Sequence, residues 1–487
     1  MSDYEIIIGL EVHVQLKTNT KLFCRCSTEF GAPPNTHTCP VCTGSPGSLP
    51  VMNRKAFELS VKTAIAINCD IPELTKWDRK NYYYPDLPKG YQISQFDLPL
   101  SQDGHLDIID PDTEEPCRIG IIRAHLEEDA GKSMHDEAAG RADSRIDLNR
   151  TGTPLLEIVS EPDMRSPGQA KAYLNELKLL LTYLAVSDCN MQEGSLRVDA
   201  NVNLHIPQGE EVIATPIVEI KNMNSFRAVE RALTYEAKRQ YRVWQETKKT
   251  KDEVAKQTRG WDDQAEKTFG QRHKEESSDY RYFPDPDLVP VVVPREQVTE
   301  IRESLGELPA AMRKRLEASY DISAYDADVI VNQGRELVGY FVDTAEKCGS
   351  GKQASNWIQQ DVMRTLNDQQ ISIDEFPVSA EHLAELLTAV TEGKVDNSRA
   401  KDVFQEMQNS ASDAATAMKA LGIEQVDESA LVDLCRSLVE KNERIADDVR
   451  NGKQQAVGAL IGQAKQQNPN VNPGQVREIC LKIILEG

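Results

Sequence analysis

Ile6-Ile-Ile-Gly-Leu-Glu-Val-His-Val-Gln15 alternates along its length. In a strand, successive side chains point to opposite faces, so Ile6, Ile8, Leu10, Val12 and Val14 share one side and Glu11, His13 and Gln15 share the other. A carboxylate and an imidazole two positions apart therefore project from one face of a sheet. The same period-2 pattern, bounded by Gly, Pro and Asn, recurs in Arg118 to Glu128, Leu196 to His205 and Val212 to Lys221. Two helical patterns, Arg54 to Ile67 and Gln169 to Ala185, interrupt these strands. The expected class is α+β, with a large mixed or antiparallel sheet in the N-terminal part.

Further along the chain the apolar period changes to 3.6. Ala354, Trp357, Ile358, Val362, Met363 and Leu366 form one stripe, and Leu383, Leu386, Leu387 and Val390 another. Proline marks the transition: Phe283 to Pro294 holds four prolines, whereas only Pro309, Pro377, Pro469 and Pro473 lie after residue 300. After the small and polar residues of Gln408 to Asp413, helical signals return at Leu431 to Val439, Ala456 to Ala464 and Val476 to Ile483, with Pro473 where a first turn would begin. A domain boundary near 290–300 follows, with the sheet-rich part before it and helical parts after it.

The 487 residues carry 56 Lys plus Arg against 78 Asp plus Glu, a net charge of −22 that argues against indiscriminate adhesion to nucleic acid or anionic membranes. Any nucleic-acid contact must be local, with few phosphate contacts and a modest salt dependence. No apolar run approaches the roughly eighteen residues of a membrane span, and the chain enters its first strand without a basic or apolar leader. A cytoplasmic protein is expected. Ten cysteines are too few for a disulfide scaffold in a chain of this length.

Four of them are clustered. Cys24-Arg-Cys26 and Cys39-Pro-Val-Cys42 form two short arms separated by a turn containing Pro33, Pro34 and Asn35. Tetrahedral thiolate coordination needs this layout, and four protein ligands would close a zinc site, making it structural. Cys69, Cys117, Cys189, Cys348, Cys435 and Cys480 stand alone and read as small core hydrophobes.

Other strands carry polar faces like that of the first. In Arg118 to Asp129, alternation places Gly120, Ile122, Ala124 and Leu126 inward and Arg123, His125, Glu127 and Asp129 outward, with Glu128 depending on where the strand ends. Another run aligns Glu193, Ser195, Arg197, Asp199, Asn201 and Asn203, and a fourth pairs Glu219 with Lys221. These sets mix acids, Arg, Asn and His with few Lys, unlike a merely solvated sheet. Oxygen donors plus imidazole suit a hard cation such as magnesium, and interspersed Arg and Lys suit phosphate. A nucleotide or phosphoester site on a sheet follows.

It is not a common one. Glu128-Asp-Ala-Gly-Lys-Ser133 ends like a phosphate-binding loop, but Leu126 stands where the first glycine is required. GxGxxG, HExxH and GxSxG are all absent from the sequence. Two aromatic segments, Asp78 to Gln92 and Ser277 to Asp287, interleave Tyr with Arg, Lys and Asn and could stack bases and hold phosphates. Residues 237–260 carry eight basic side chains against three acids, a candidate nucleic-acid contact or a solvated basic helix.

These residues have a family likeness. Ile8-Gly-Leu-Glu-Val-His-Val-Gln-Leu16, Arg79 to Gln95, His125-Leu-Glu-Glu-Asp-Ala-Gly-Lys132, Asn149-Arg-Thr-Gly-Thr-Pro-Leu-Leu-Glu157, Lys221-Asn-Met-Asn-Ser-Phe226 and Asp279 to Asp287 resemble, in order along the whole chain, the B subunit of bacterial Asp/Glu-tRNA amidotransferases. The resemblance implies a cradle-shaped α+β catalytic domain over 1–293, a helical domain over 294–410 and an all-α tail domain over 411–487 that helps bind tRNA. It implies ATP-dependent phosphorylation of the side-chain carboxylate of mischarged Glu-tRNA(Gln) or Asp-tRNA(Asn), then amide formation with ammonia. It also implies magnesium, structural zinc, an A subunit that supplies ammonia from glutamine, and a small C subunit.

Carried over residue by residue, the resemblance makes Glu11, His13, Glu128 and Glu157 candidates for the metal-bearing catalytic site, with Lys80 and Arg197 as further catalytic groups. Glu127 and Asp129 are alternative magnesium ligands: strand parity favours Glu127, and the resemblance retains Glu128. Asn81, Tyr82, Arg150, Glu193, Ser195, Asp199, Asn201 and Lys221 are expected to line the nucleotide and aminoacyl-end pocket. Cys24, Cys26, Cys39 and Cys42 match zinc-bearing relatives. A non-catalytic RNA-binding scaffold would not need the mixed Glu, His and Arg faces, and a small-molecule carboxylate ligase would need neither the helical tail nor the basic segment.

Overall fold

A computed structural model describes residues 3–135, 144–271, 280–423, 428–468 and 470–486. Ser277, Ser278 and Asp279 of the second aromatic segment lie outside the described residues. The chain divides into two units, Met1–Leu308 and Pro309–Gly487.

In the first unit the strands are β1 (Glu5–Gln15), β2 (Leu74–Thr75), β3 (Asp78–Asn81), β4 (Tyr91–Ser94), β5 (Ser101–Ile109), β6 (Pro116–Glu128), β7 (Lys132–His135) and β8 (Ser144–Asp147). They continue as β9 (Pro154–Ser160), β10 (Leu196–Gln208), β11 (Glu211–Ala214), β12 (Val218–Lys221), β13 (Gln257–Asp262), β14 (Lys267–Gly270), β15 (Phe283–Pro284) and β16 (Val291–Val292). The helices are α1 (Pro40–Thr43), α2 (Arg54–Ala66), α3 (Pro167–Tyr183), α4 (Phe226–Thr247) and α5 (Arg295–Ser304). The main sheet runs β14-β13-β12-β10-β1-β9-β6-β5, with β11 added beside β10. A smaller sheet, β15-β3-β4, brings the two aromatic segments together.

The α+β expectation holds, and the sheet is mixed. Its pairings are antiparallel except β12 with β13, and a parallel neighbour requires a crossover, which α4 supplies. Leu10, Val12 and Val14 of β1 join Val198, Ala200 and Val202 of β10 in one core. Tyr173, Leu174 and Leu177 of α3 and Val229, Ala232 and Leu233 of α4 pack into the same core. The sheet's apolar face is therefore roofed by helices, leaving its other face for polar chemistry. Asn53, Ser166 and Ser225 start α2, α3 and α4, each accepting from a backbone N–H three residues on.

Three sequence expectations are corrected in this unit. Gly120 and Ile122 were expected inward, but Ile119 and Ile121 are the buried pair and Ile122 is 41% exposed. A β-bulge between Ile121 and Arg123 inserts one residue and reverses the parity, so the alternation holds only from Ala124 onward. Val212 to Lys221 is two strands rather than one, because Pro216 cannot donate to a ladder and Thr215 turns inward to receive Leu204 N and bond Gln240. Helix α4 shows no plain apolar stripe in its sequence, because Glu236 and Gln240 sit on its buried side. Glu236 is satisfied there by Arg239 at 2.6 Å and Thr268 at 2.7 Å. The boundary expected at 293 falls at Leu308, since Val298 and Leu305 pack into the sheet domain's core.

The second unit is helical. Gly351–Trp357 and Met363–Gln369 are joined by a π-helical turn, Ile358–Val362, which shifts the apolar stripe. Asp361 and Thr365 are consequently buried, while Met363 and Leu366 are only partly covered. Asp413 caps Ala414–Ala420, which packs on Ala380–Thr391 and Asn397–Ser410. The break expected at 410 therefore lies inside this packed set. A separate apolar core gathers Leu431, Cys435, Leu460, Val476, Cys480 and Ile484. Among the described residues no helix is long and apolar enough to cross a membrane.

Candidate functional site

Directly paired residues on neighbouring strands share a face, and the register of four strands builds the site. His13 on β1 stands opposite Arg197 on β10 and Glu157 on β9; Glu157 in turn stands opposite His125 on β6, and Glu11 opposite Asp199. His13 Nε2 lies 3.4 Å from Glu11 Oε1 and 3.3 Å from Glu157 Oε2. His125 Nε2 lies 3.8 Å from both Glu127 Oε2 and Glu157 Oε2. Two triads, Glu11/His13/Glu157 and His125/Glu127/Glu157, thus share Glu157, and within each the donor atoms fall within 4.8 Å of one another.

The electrostatics distinguish these groups. Burial opposes charge on His13, yet the Glu157 hydrogen bond and the Glu157, Glu11 and Glu127 carboxylates lift its pKa to about 9. Burial would raise Glu157, but His125, His13 and Lys80 hold it well below the usual carboxylate range. Glu127 is likewise held low, with His125 and Lys80 overcoming burial and the Glu157 charge. Glu11 is raised by burial and by Glu157. Lys80, on β3 of the smaller sheet, is half-buried with its ammonium 5.0 Å from the Tyr280 ring centroid, and Glu127 helps keep it charged against the cost of burial.

Two further polar clusters border the triads. Asp129 receives Gln15 Nε2 at 2.7 Å and Arg197 Nη2 at 3.0 Å, with Arg150 Nε at 3.6 Å. Burial would raise the Asp129 carboxyl, and Arg197 and Arg150 depress it. On the other side Lys221 pairs with Asp199 and lies 3.4 Å from Glu219. Among the described residues, Asn201 Oδ1 is buried without a hydrogen-bond partner.

Glu11, His13, Glu127, Glu157, Lys80, Arg197, Asp199 and Lys221 are thereby gathered on one face, with Asp129 and Arg150 beside them. Glu128 goes elsewhere: it is buried against Lys89 and accepts Ile93 N at 3.1 Å, so it does not join either triad. Glu193 and Ser195 precede β10, where Ser195 Oγ receives Asn190 N at 2.8 Å and donates to Asp188. Asn81 clamps the backbone carbonyls of Tyr280 and Arg281 at 3.2 and 2.7 Å. Tyr82 meets Gln92 Oε1 at 3.3 Å, and partial burial pushes its hydroxyl above its ordinary pKa. His125 and Lys89 were not among the expected site residues. Parity with Glu127 was the signal for His125; nothing local marks Lys89.

The four cysteines converge as well. Cys24, Cys26, Cys39 and Cys42 place their sulfurs within 4.8 Å of one another, Cys39 and Cys42 at 3.9 Å. Zinc–thiolate bonds of about 2.3 Å at the tetrahedral angle put neighbouring sulfurs about 3.8 Å apart, so the set has the spacing of a thiolate metal site. The Cys42 thiol is lowered to about 5 by the Cys24 hydrogen bond, with help from Lys21. Burial pushes Cys26 up to about 11.

Comparison with known proteins places this geometry. A family model described as the GatB/GatE catalytic domain matches residues 6–299, and one described as the GatB domain matches residues 339–484. The aspartyl/glutamyl-tRNA(Asn/Gln) amidotransferase B subunit of Rhodopirellula baltica is 64% identical over 478 residues, covering 98% of this chain and 96% of the relative. The proteins of the same name from Carboxydothermus hydrogenoformans and Moorella thermoacetica are 46% identical over 483 residues and 47% over 479, each covering 98% of this chain and 98% and 99% of the relative. A catalytic-domain match that spans the whole sheet, together with full-length relatives at this identity, establishes that the chain belongs to the GatB/GatE family.

Proposed function

We propose that this chain is the carboxylate-activating subunit of a cytoplasmic, glutamine-dependent tRNA amidotransferase. Its substrates are Glu-tRNA(Gln), Asp-tRNA(Asn) or both, with ATP. The observation that carries this reading is the pair of triads sharing Glu157 next to Lys80 and Arg197. The relatives' names supply the substrate class.

A carboxylate is a poor electrophile and must be given a leaving group. In the proposed sequence its oxygen attacks the γ-phosphorus of ATP, ADP departs, and an acyl phosphate forms. Ammonia then attacks the carbonyl carbon and expels inorganic phosphate, leaving the amide. Positioning and charge stabilisation supply most of such phosphoryl-transfer catalysis. Lys80 and Arg197 bring fixed positive charge to the face where phosphoryl oxygens would sit. The carboxylates of Glu11, Glu127 and Glu157, with His13 and His125, make a donor set that fits a divalent cation. Magnesium bound there would offset charge on the transferring group. Lys221, Asp199 and the unpartnered Asn201 carbonyl provide polar contacts for the aminoacyl end.

Ammonia is supplied by an amidase A subunit acting on glutamine, with a small C subunit joining the two. The C-terminal helical tail over 411–487 is assigned to tRNA binding, and the cysteine cluster to a structural zinc. The deciding test incubates the purified complex with each mischarged tRNA, ATP and glutamine, then identifies the amino acid released from the tRNA. Glutamine or asparagine is expected; unchanged glutamate and aspartate would refute the reading.

A further inference from the structure

Lys21 is among the largest fully buried side chains of the chain, at 0% exposure. Burying an ammonium is costly unless an anion compensates it. Among the described residues no carboxylate lies within ion-pair distance of Lys21. Its Nζ instead donates to His37 O at 2.7 Å and lies 3.4 Å from Leu148 O and 3.7 Å from Cys42 Sγ. The first two are neutral carbonyls. Among the described residues, Cys42 as a thiolate is the anion within reach of this ammonium.

The position is built into the cluster from both arms. Lys21 belongs to the Cys24/Cys26 arm, where its backbone N–H donates to Cys26 O at 3.0 Å. Its side chain crosses to the Cys39/Cys42 arm and to His37 in the loop joining them. That loop is fastened to the segment before β9: Asn35 N meets Asp147 Oδ1 at 3.0 Å, and His37 N meets Asn149 Oδ1 at 2.8 Å. Gly152 in the next turn lies against Cys42 Cβ and accepts Leu22 N at 2.8 Å.

We propose that Lys21 is the buried counter-charge of the metal-loaded cysteine cluster. It acts as a positioning residue that offsets one of the two net negative charges four thiolates leave around a divalent ion. The inference rests on the zinc reading above. It adds that the charge of Lys21, beyond its hydrogen bonds, sets the affinity for the metal. A charge that is stabilising only with the metal present becomes a liability without it.

The test compares full-length parent, Lys21→Met and Lys21→Gln proteins. Zinc affinity is read by competition with a chromophoric chelator, and urea unfolding is followed with and without zinc. The parent is expected to bind one zinc. Lys21→Met, which keeps the volume, and Lys21→Gln, which keeps the donors, should both bind at least about tenfold more weakly. Metal-free Lys21→Met should be as resistant to urea as metal-free parent or more so. Should the Met protein fail to fold, the Gln protein decides on affinity alone. Parent-level affinity in Lys21→Gln, or an equal loss of urea resistance with and without zinc, would overturn the counter-charge role. A parent protein that binds no zinc would instead sink the metal reading beneath it.

Discussion

Glu157 Oε2 lies 3.3 Å from His13 Nε2, across a directly paired position of two neighbouring strands, and the opposite edge of the same carboxylate's strand presents His125. One side chain thereby ties two triads together. Replacing it by glutamine keeps the volume and removes the shared charge. Glu157→Gln should lower ATP-dependent amide formation by about 100-fold or more, the scale seen when a group acting on reacting charge is removed. Glutamine hydrolysis by the partner should persist. A steady-state comparison of the two activities checks this, and near-parent amide formation would contradict it.

The lifted pKa of His13 gives a pH signature. Its folded-state value, about 9, lies above its ordinary 6.5. Its stabilising contribution to the metal-free protein is therefore fully present below about pH 6.5 and is lost as pH rises through about 9. A cation ligated by His13 must displace that proton. Affinity for magnesium should thus increase from pH 7 to 9 and level off above, with proton release that calorimetry in buffers of differing ionisation enthalpy would register. A pH-independent affinity would exclude His13 as a ligand.

Glu127 and Glu128 are neighbours with opposite environments. Glu127 faces His125 and Lys80, whereas Glu128 neutralises buried Lys89. Glu127→Gln should impair amide formation well beyond its cost in stability, a cost that its lowered pKa shows is not zero. Glu128→Gln should cost about 3–5 kcal/mol of folding free energy, the penalty of leaving a buried charge unpaired. Urea unfolding beside activity measurements separates the two; the reverse pattern would exchange the roles.

Asp129 holds Arg197 at 3.0 Å and Arg150 at 3.6 Å. Asp129→Asn removes the charge both guanidinium groups share. If Arg197 contacts phosphoryl oxygens, its loss of aim should raise the KM for ATP several-fold with a smaller effect on the KM for tRNA. Equal changes in both, or none, would assign the pair a purely structural part.

How far the sequence could be read follows from which forces are local. Period-2 alternation in Ile6 to Gln15 and Leu196 to His205 was enough to put Glu11, His13, Arg197 and Asp199 on one face, because parity is a property of the strand itself. It failed at Gly120 and Ile122, where a bulge depends on the neighbouring strand β9. It also left Glu127 and Glu128 unresolved, since Lys89 reaches Glu128 from a distant loop. Lys80 sits on a different sheet from the triads, so no spacing rule connects it to Glu157. The cysteine arms were legible because chelation imposes short spacings. Lys21, just ahead of the first of those arms, was not, because only burial makes its charge conspicuous.

In the proposed function Glu11, His13 and Glu157 form the centre at which the tRNA-bound carboxylate is phosphorylated. Its most direct test is release of ADP from ATP, dependent on mischarged tRNA, by complexes carrying parent or Glu11→Ala chains, with glutamine hydrolysis as the internal control. ADP release should be abolished in Glu11→Ala while glutamine hydrolysis remains measurable. Parent-level ADP release by that variant would contradict it.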